Sequence, residues 1–350
     1  MEPELTAVRA GRIRRVEPGQ KRRRALSAVF ARILIDRHVH RIMAMLSLEA
    51  IRSAAERARP YVVRTPLLPI GDGRWLKLEL LQPTGSFKVR GFFAAALALP
   101  PERLRRGLLT VSAGNAAMAC AHVASRLGVS SRVVMFDTAP ARKVEGVRRW
   151  GGEPVQMPRQ ELLEWLAGRG WESEPETFIH PFADEMLQAG HGGIGLEIAE
   201  QLPEVERVVV AVGGGGLVHG IASAVKAVRP GVEVLGVQSD GYELWNGTLA
   251  SGSPPAGLAP RTIADGTSAP YDESMHRALA ASVDGWLTVP EPRLRSSIGE
   301  LAGAAKVVAE GAGALSFAAL EQLAPGPPAV AVISGGNVDP GLLAELLGAD

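Results

Sequence analysis

The sequence of 350 residues contains one cysteine, few aromatic residues and no long apolar run. A single cysteine excludes an intramolecular disulfide bond and a zinc site made of several cysteines. Aromatic residues make up 5% of the chain, so packing depends mainly on Ala, Val, Leu and Ile. No apolar stretch of about 18 residues and no signal-peptide pattern occurs, so a membrane-spanning helix is not expected. These absences favour a cytoplasmic protein with no membrane partner.

Charge is unevenly distributed along the chain. Residues 1–44 contain 11 of the 38 Lys/Arg and 4 of the 37 Asp/Glu, a net charge of +7, and the other 306 residues have a net charge of −6. The mildly acidic remainder argues against a nucleic-acid partner. We expect residues 1–45 to be a basic extension, either disordered or encoded upstream of the true start codon, although a basic amphipathic arm could also bind nucleic acid or an anionic surface.

Beyond residue 46, short apolar runs alternate with Ala-rich helical segments. The runs comprise residues 108–111, 132–136, 208–212, 232–237 and 329–333. Continuous apolar strands separated by helices are typical of βαβ units, whose parallel sheets are covered on both faces. The sequence therefore predicts an α/β fold.

Unusual residues collect where three of these predicted strands end. Ser-Ala-Gly-Asn (112–115) follows one strand, four glycines (213–216) follow another, and Ser-Gly-Gly-Asn (334–337) follows the last. Ligand sites of open parallel sheets lie at the carboxyl ends of the strands. This placement indicates a ligand site.

The four glycines stand between a strand and a helix that begins near Leu217. Such a turn leaves several backbone N–H groups free to face an anion at the start of a helix. The segment lacks the Lys and Ser/Thr of a Walker loop and the third glycine of a dinucleotide-binding fingerprint. It favours a cup for a single phosphate. A tight turn without a ligand is the alternative, but such a turn needs only one or two glycines.

Lysine is scarce after residue 44, where five occur: Lys77, Lys88, Lys143, Lys226 and Lys306. Lys88 lies in the segment Thr-Gly-Ser-Phe-Lys-Val-Arg-Gly (84–91), among small and apolar residues. A desolvated lysine has a lowered pKa and can form a Schiff base. Together with a cup for one phosphate, such a lysine suggests pyridoxal phosphate as the cofactor, because that cofactor needs both.

Five segments occur in the order found in the serine/threonine dehydratase family: residues 84–91, 112–115, 213–216, 262–266 and 334–337. The chain resembles that family over about residues 46–345. The family belongs to the fold type II pyridoxal phosphate enzymes, the tryptophan synthase β-like group. The resemblance implies two domains, each a largely parallel twisted sheet flanked by helices. Residues 46–100 and 185–350 would form the large cofactor-binding domain, and residues 101–184 the small mobile domain.

The resemblance also implies how the cofactor is bound. Lys88 would bind it covalently, and Phe87 and Gly266 would pack on opposite faces of its ring. Ser334 would donate a hydrogen bond to the pyridine nitrogen. The phosphate would accept from backbone N–H groups of Gly213, Gly214, Gly215, Gly216 and Leu217.

The implied reaction is dehydration and deamination of L-threonine and/or L-serine to a 2-oxo acid and ammonia. Asn115 would hydrogen-bond the phenolic oxygen of the cofactor and, with Ser112, would bind the substrate carboxylate. Lys88 would remove the Cα proton. The family also implies a homo-oligomer, a dimer or a tetramer.

Alternatives stay open at this point. The chain could be another β-elimination or β-replacement enzyme, such as a threonine synthase or a 3-hydroxyaspartate dehydratase, or a non-catalytic ligand-binding relative. Ala113 stands where racemases of the family carry serine, which argues against racemisation. Gln238 stands where relatives with a divalent-cation site carry glutamate, so no metal site is expected. Glu310 matches a family glutamate near the cofactor, and the role of His191 is open.

Overall fold

The computed structural model describes residues 45–348, and ten strands in this range form two sheets. The predicted extension, residues 1–45, lies outside the described residues except for its last residue. The strands are β1 (Leu67–Gly71), β2 (Arg74–Lys77), β3 (Leu108–Val111), β4 (Ser131–Phe136), β5 (Glu153–Met157), β6 (Thr177–Phe178), β7 (Arg207–Ala211), β8 (Glu233–Ser239), β9 (Gly285–Val289) and β10 (Ala329–Val332).

The larger sheet has six strands in the order β1-β2-β10-β7-β8-β9. Strand β1 is antiparallel to β2, and the other neighbouring strands are parallel. Successive residues of β7 enter different cores: Val208 and Val210 pack on one face of the sheet, and Val209 and Ala211 on the other. Burial on both faces explains why the central strands are continuously apolar.

The smaller sheet has four strands in the order β5-β4-β3-β6, all parallel. It also has a core on each face, since Val133 and Met135 of β4 enter one cluster and Val134 enters another. The α/β fold with two largely parallel sheets is confirmed. The sheet lies within predicted residues 101–184, and the mobility of that segment stays a prediction.

Helices cover both sheets. They are α1 (Leu48–Ala58), α2 (Lys88–Ala98), α3 (Pro101–Leu104), α4 (Asn115–Leu127), α5 (Ala141–Arg149), α6 (Arg159–Ala167), α7 (Glu185–Gln201), α8 (Gly216–Val228), α9 (Trp245–Ser251), α10 (Glu273–Ser282), α11 (Glu291–Glu300), α12 (Gly311–Leu320) and α13 (Pro340–Gly348). None of the helices within residues 45–348 is long and apolar enough to cross a membrane.

Two groups of helices begin differently. The side chains of Ser47, Asp184 and Asp272 accept a backbone N–H at the start of α1, α7 and α10. Nine helices of the described range begin without a side-chain cap, and they include α2, α4, α8 and α12. Their first N–H groups lack partners within the helix and can bind a ligand. Of these helices, α2, α4 and α8 begin at predicted site residues, and α12 follows Glu310.

Candidate active site

The loop that carries Lys88 is hydrogen-bonded to the loop that follows β10. Phe87 N donates to Ser334 O at 3.0 Å, and Gly336 N donates to Gly85 O at 2.9 Å. Ser86 and Gly335 form an isolated antiparallel bridge between these bonds. The structure thus brings Phe87, Lys88 and Ser334 together, and their roles toward a cofactor stay a prediction.

Lys88 is the first residue of α2 and its amino group is buried, although the side chain as a whole is partly exposed. Burial lowers the pKa of Lys88 to about 8, because the charged form loses hydration. The amino group donates to Pro181 O at 2.7 Å and lies 5.1 Å from the centre of the Phe87 ring. A neutral amine is therefore accessible near physiological pH.

The four glycines lie close to Phe182, the residue after Pro181. A Cβ atom on Gly214 would lie 2.2 Å from Cγ of Phe182, and one on Gly216 would lie 2.4 Å from Phe182 O. Gly215 has a φ of +92°, a conformation that favours glycine. The close contacts with Phe182 and the positive φ explain why a tight turn here contains more glycines than usual.

Gly266 lies between the glycine loop and α12. A Cβ atom on Gly213 would lie 3.1 Å from Gly266 O, and one on Gly266 would lie 3.2 Å from the Cβ of Ala312. The Ser334 hydroxyl is buried and donates to Ala312 O at 3.3 Å. The predicted ring partners Gly266 and Ser334 therefore both lie next to Ala312.

Asn115, at the start of α4, pairs with two residues of the larger sheet's loops. Its Nδ2 donates to Glu310 Oε1 at 2.5 Å, and its Oδ1 accepts from Asn337 Nδ2 at 2.8 Å. Burial raises the pKa of Glu310 to about 7, and the hydrogen bond from Asn115 opposes this rise. Glu310, which matches a family glutamate, thus lies next to Asn115, and so does Asn337.

Ser112 contacts its own loop instead. Its Oγ accepts from Gly114 N at 3.0 Å, which shapes the turn before α4. No hydrogen bond to another predicted site residue is described for its side chain. Its role toward the substrate carboxylate stays a prediction.

His191 of α7 lies behind Phe87. The two rings meet edge to face, with centroids 4.7 Å apart. The imidazole is fully buried, and neither ring nitrogen has a hydrogen-bond partner among the described residues. Burial, together with the nearby charges of Lys88 and Arg90, lowers its pKa well below the usual range, so the ring is neutral.

A largely buried ion network next to Lys88 was not predicted from the sequence. It contains Lys77, Glu79, Arg90 and Glu197, which come from β2, the turn after it, α2 and α7. The scarcity of lysine drew attention to Lys77, but no motif marked the two glutamates.

Gln238, which stands where some relatives carry the glutamate of a cation site, uses both amide atoms in hydrogen bonds to the backbone. Gln238 Oε1 accepts from Trp245 N at 2.8 Å and Asn246 N at 3.1 Å, and Nε2 donates to Tyr242 O at 3.4 Å. Within residues 45–348, no group of three or more His, Cys, Asp or Glu side chains could hold a metal ion.

Comparison with known proteins identifies the family. A family model described as "Pyridoxal-phosphate dependent enzyme" matches residues 58–335. The chain belongs to that family.

Two curated relatives and two solved structures illustrate the match. The L-threonine ammonia-lyase of Thermotoga maritima is 37% identical over 315 residues, which cover 87% of this chain and 78% of the relative. A catabolic L-threonine dehydratase of Staphylococcus aureus is 33% identical, with 84% and 90% covered. The T.th. threonine deaminase has a TM-score of 0.77 and 38% identity, over 84% of this chain and 99% of that one. Maize serine racemase has a TM-score of 0.79 and 30% identity, over 85% and 96%.

The site fits the pyridoxal phosphate of this enzyme family. The cofactor's aldehyde requires an uncharged amine, and desolvation of Lys88 supplies one. Its phosphate requires N–H donors, and α8 begins at the four glycines without a side-chain cap. Its ring nitrogen requires a polar partner, and the buried hydroxyl of Ser334 lies beside the lysine loop.

Proposed function

We propose that the protein catalyses the dehydration and deamination of L-threonine, L-serine or both, releasing a 2-oxo acid and ammonia. The observation that carries this proposal is the desolvated amine of Lys88, joined through Pro181 and Phe182 to the uncapped four-glycine turn. The names of the curated relatives, an ammonia-lyase and a dehydratase of L-threonine, support the same reaction.

We propose that Lys88 binds pyridoxal phosphate, which supplies an electron sink for the Cα carbanion of an amino acid. The N–H groups of Gly213, Gly214, Gly215, Gly216 and Leu217 would bind its phosphate. Phe87 and Gly266 would lie against its ring, and Ser334 would donate to its ring nitrogen. A hydroxyl partner does not keep that nitrogen protonated as a carboxylate would, which favours β-elimination over transamination.

Lys88 would also act as the base. An amine with a pKa of about 8 can accept the Cα proton at neutral pH when it is released from the cofactor. Asn115 and Ser112 would orient the substrate carboxylate from the N-terminus of α4, where no side chain caps the helix. Loss of the Cα proton and of the β-hydroxyl as water leaves an unsaturated amine, which water converts into the 2-oxo acid and ammonia.

We further propose that residues 101–184 form the mobile part and close the cleft over the substrate. Asn115 and the residues that follow it in α4 would then approach the loops of the larger sheet. The cytoplasmic location and the dimer or tetramer expected from the sequence stay predictions.

The test is 2-oxo acid release from a panel of β-hydroxy amino acids: L-threonine, L-serine and 3-hydroxyaspartate. We expect equal amounts of ammonia and 2-oxo acid from L-threonine or L-serine, and no release by Lys88→Ala. Lys306→Ala is the matched control, because Lys306 is an exposed lysine whose amine donates to Gly303 O, outside the site residues. A protein that binds the cofactor but releases no 2-oxo acid from any of the three amino acids would contradict the proposal.

A further inference from the structure

Four charged side chains are buried together behind Lys88. The exposed fractions of their side chains are 0% for Lys77, 0% for Glu79, 4% for Arg90 and 14% for Glu197. Two are positive and two are negative. Burying charges costs hydration energy, and apolar residues of similar volume are often at least as stabilising. General stability therefore does not explain the network.

Arg90 lies at the centre of the network and uses its whole guanidinium group. Its Nε and Nη2 donate to the two carboxylate oxygens of Glu79 at 2.7 and 2.8 Å. Its Nη1 and Nη2 donate to the two oxygens of Glu197 at 2.7 and 3.0 Å. Nη2 also donates to Val63 O at 3.0 Å. Paired bonds of this kind define the orientation of a planar group, which a lysine cannot reproduce.

The Glu79 pair closes the base of the loop that carries the reactive lysine. Arg90 follows Glu79 by 11 residues, and the segment between them contains Phe87 and Lys88. Helix α2 begins at Lys88 without a side-chain cap, so no cap sets the direction of its first turn. Residues two positions apart on a helix point to nearly opposite sides. Arg90 can therefore face the interior while Lys88 faces the site.

The Glu197 pair connects the same turn to rigid elements. Lys77, at the end of β2, donates to Glu197 Oε2 at 2.5 Å, to Thr65 O at 2.8 Å and to Gln201 Oε1 at 2.9 Å. Thr65 in turn donates to Glu79 Oε1 at 2.6 Å. The first turn of α2 is thus joined to β2 and α7 through bonds that are buried at Glu79 and partly buried at Glu197.

We propose that Arg90 is a positioning residue for Lys88, and that its ion pairs with Glu79 and Glu197 set the place from which the lysine reaches the cofactor and the substrate. The proposal rests on the proposed function for its kinetic consequence. Its consequence for the orientation of the bound cofactor is independent of which amino acid is the substrate.

The test compares Arg90→Lys with the wild-type holoenzyme. Lysine keeps the charge but cannot bind both carboxylates side by side. We expect a fall in kcat of about tenfold or more with a small change in KM, because small displacements of a reacting group are costly. We also expect the visible circular dichroism of the bound cofactor to change, since this signal depends on how the ring is fixed relative to Lys88.

The control is Arg74→Lys. Arg74 lies at the start of β2, the strand that ends at Lys77, and its partly exposed guanidinium donates to Glu321 at 2.8 Å and to Leu323 O at 2.9 Å, neither of which belongs to the network. It should leave kcat and the circular dichroism unchanged. Glu197→Gln is the second variant: it keeps the shape of the side chain but weakens the pair, and it should change both signals in the same direction as Arg90→Lys.

The proposal fails if both variants lower only the melting temperature while kcat and the cofactor's circular dichroism stay as in wild type. If Arg90→Lys does not fold, Glu197→Gln decides by the same criterion. A holoenzyme that turns over none of the tested amino acids would refute the proposed function alone, because the circular dichroism comparison would still decide the role of Arg90.

Discussion

The lowered pKa of Lys88 leads to a quantitative prediction about its reactivity. A lysine with a pKa of 10.5 is neutral in about one molecule in a thousand at about pH 7.5, whereas a pKa of about 8 makes roughly a quarter of the molecules neutral. Only the neutral amine reacts with an aldehyde. Lys88 should therefore combine with the cofactor roughly 200-fold faster at this pH than an exposed lysine of equal nucleophilicity.

The assay follows the absorbance of cofactor-free protein mixed with pyridoxal phosphate across a pH series. The rate should rise with pH and level off above a midpoint of about 8. Phe87→Ala removes the ring whose centre lies 5.1 Å from the amine, admits water and should move the midpoint upward. Lys88→Ala gives the background. A wild-type midpoint above about 10, the range of exposed lysines, would refute the reasoning, and so would equal midpoints for wild type and Phe87→Ala.

Three other predictions follow from the site. Burial raises the pKa of Glu310 to about 7. Its protonated carboxyl therefore contributes to the stability of the fold fully at pH values below the usual carboxyl pKa, and this contribution is lost as the pH rises through 7. The test compares the free energies of unfolding of cofactor-free wild type and Glu310→Gln in urea. The stability of the variant relative to wild type should rise by about 3 kcal/mol between acid and mildly alkaline pH, and a stability difference that does not change with pH would contradict this. Because Gln238 is a neutral amide whose oxygen and nitrogen already bond the backbone of its own loop, EDTA should leave 2-oxo acid release unchanged, and added magnesium should not raise it. Lys143 of α5, within residues 101–184, pairs with Asp265 at 2.6 Å beside Gly266, so the pair joins the proposed mobile part to a loop at the site. Lys143→Met should therefore raise KM a few-fold and remove the dependence of KM on salt. Equal salt dependence of KM in both proteins would argue against a role for the pair.

The central strands were predictable because their physical environment leaves a simple pattern. Buried parallel strands are apolar on both faces, and the predicted run 208–212 differs from β7 by one residue at each end. The short outer strands had no such pattern. Strand β1 contains Pro69, and β6 is only two residues long, so neither forms a continuous apolar run.

The site was predictable where chemistry requires a rare local sequence. Four consecutive glycines, and a lysine in a segment of small residues, can be recognised from the sequence alone. The partners of Arg90 are not, because Glu79 and Glu197 lie 11 and 107 residues away and a glutamate in a sequence is usually a surface residue. The pairing of Asn115 with Glu310, which are 195 residues apart, likewise arises only when the two sheets have formed.

The bridge between Ser86 and Gly335 allows substrate exchange to occur without loss of the cofactor. The loops that carry Lys88 and Ser334 are hydrogen-bonded directly to each other, and both adjoin the six-stranded sheet. A movement of residues 101–184 would change the distance from Asn115 to this pair but not the distance within it. Product escape and cofactor loss would then have separate rate constants, and one molecule could complete many turnovers before its cofactor dissociates.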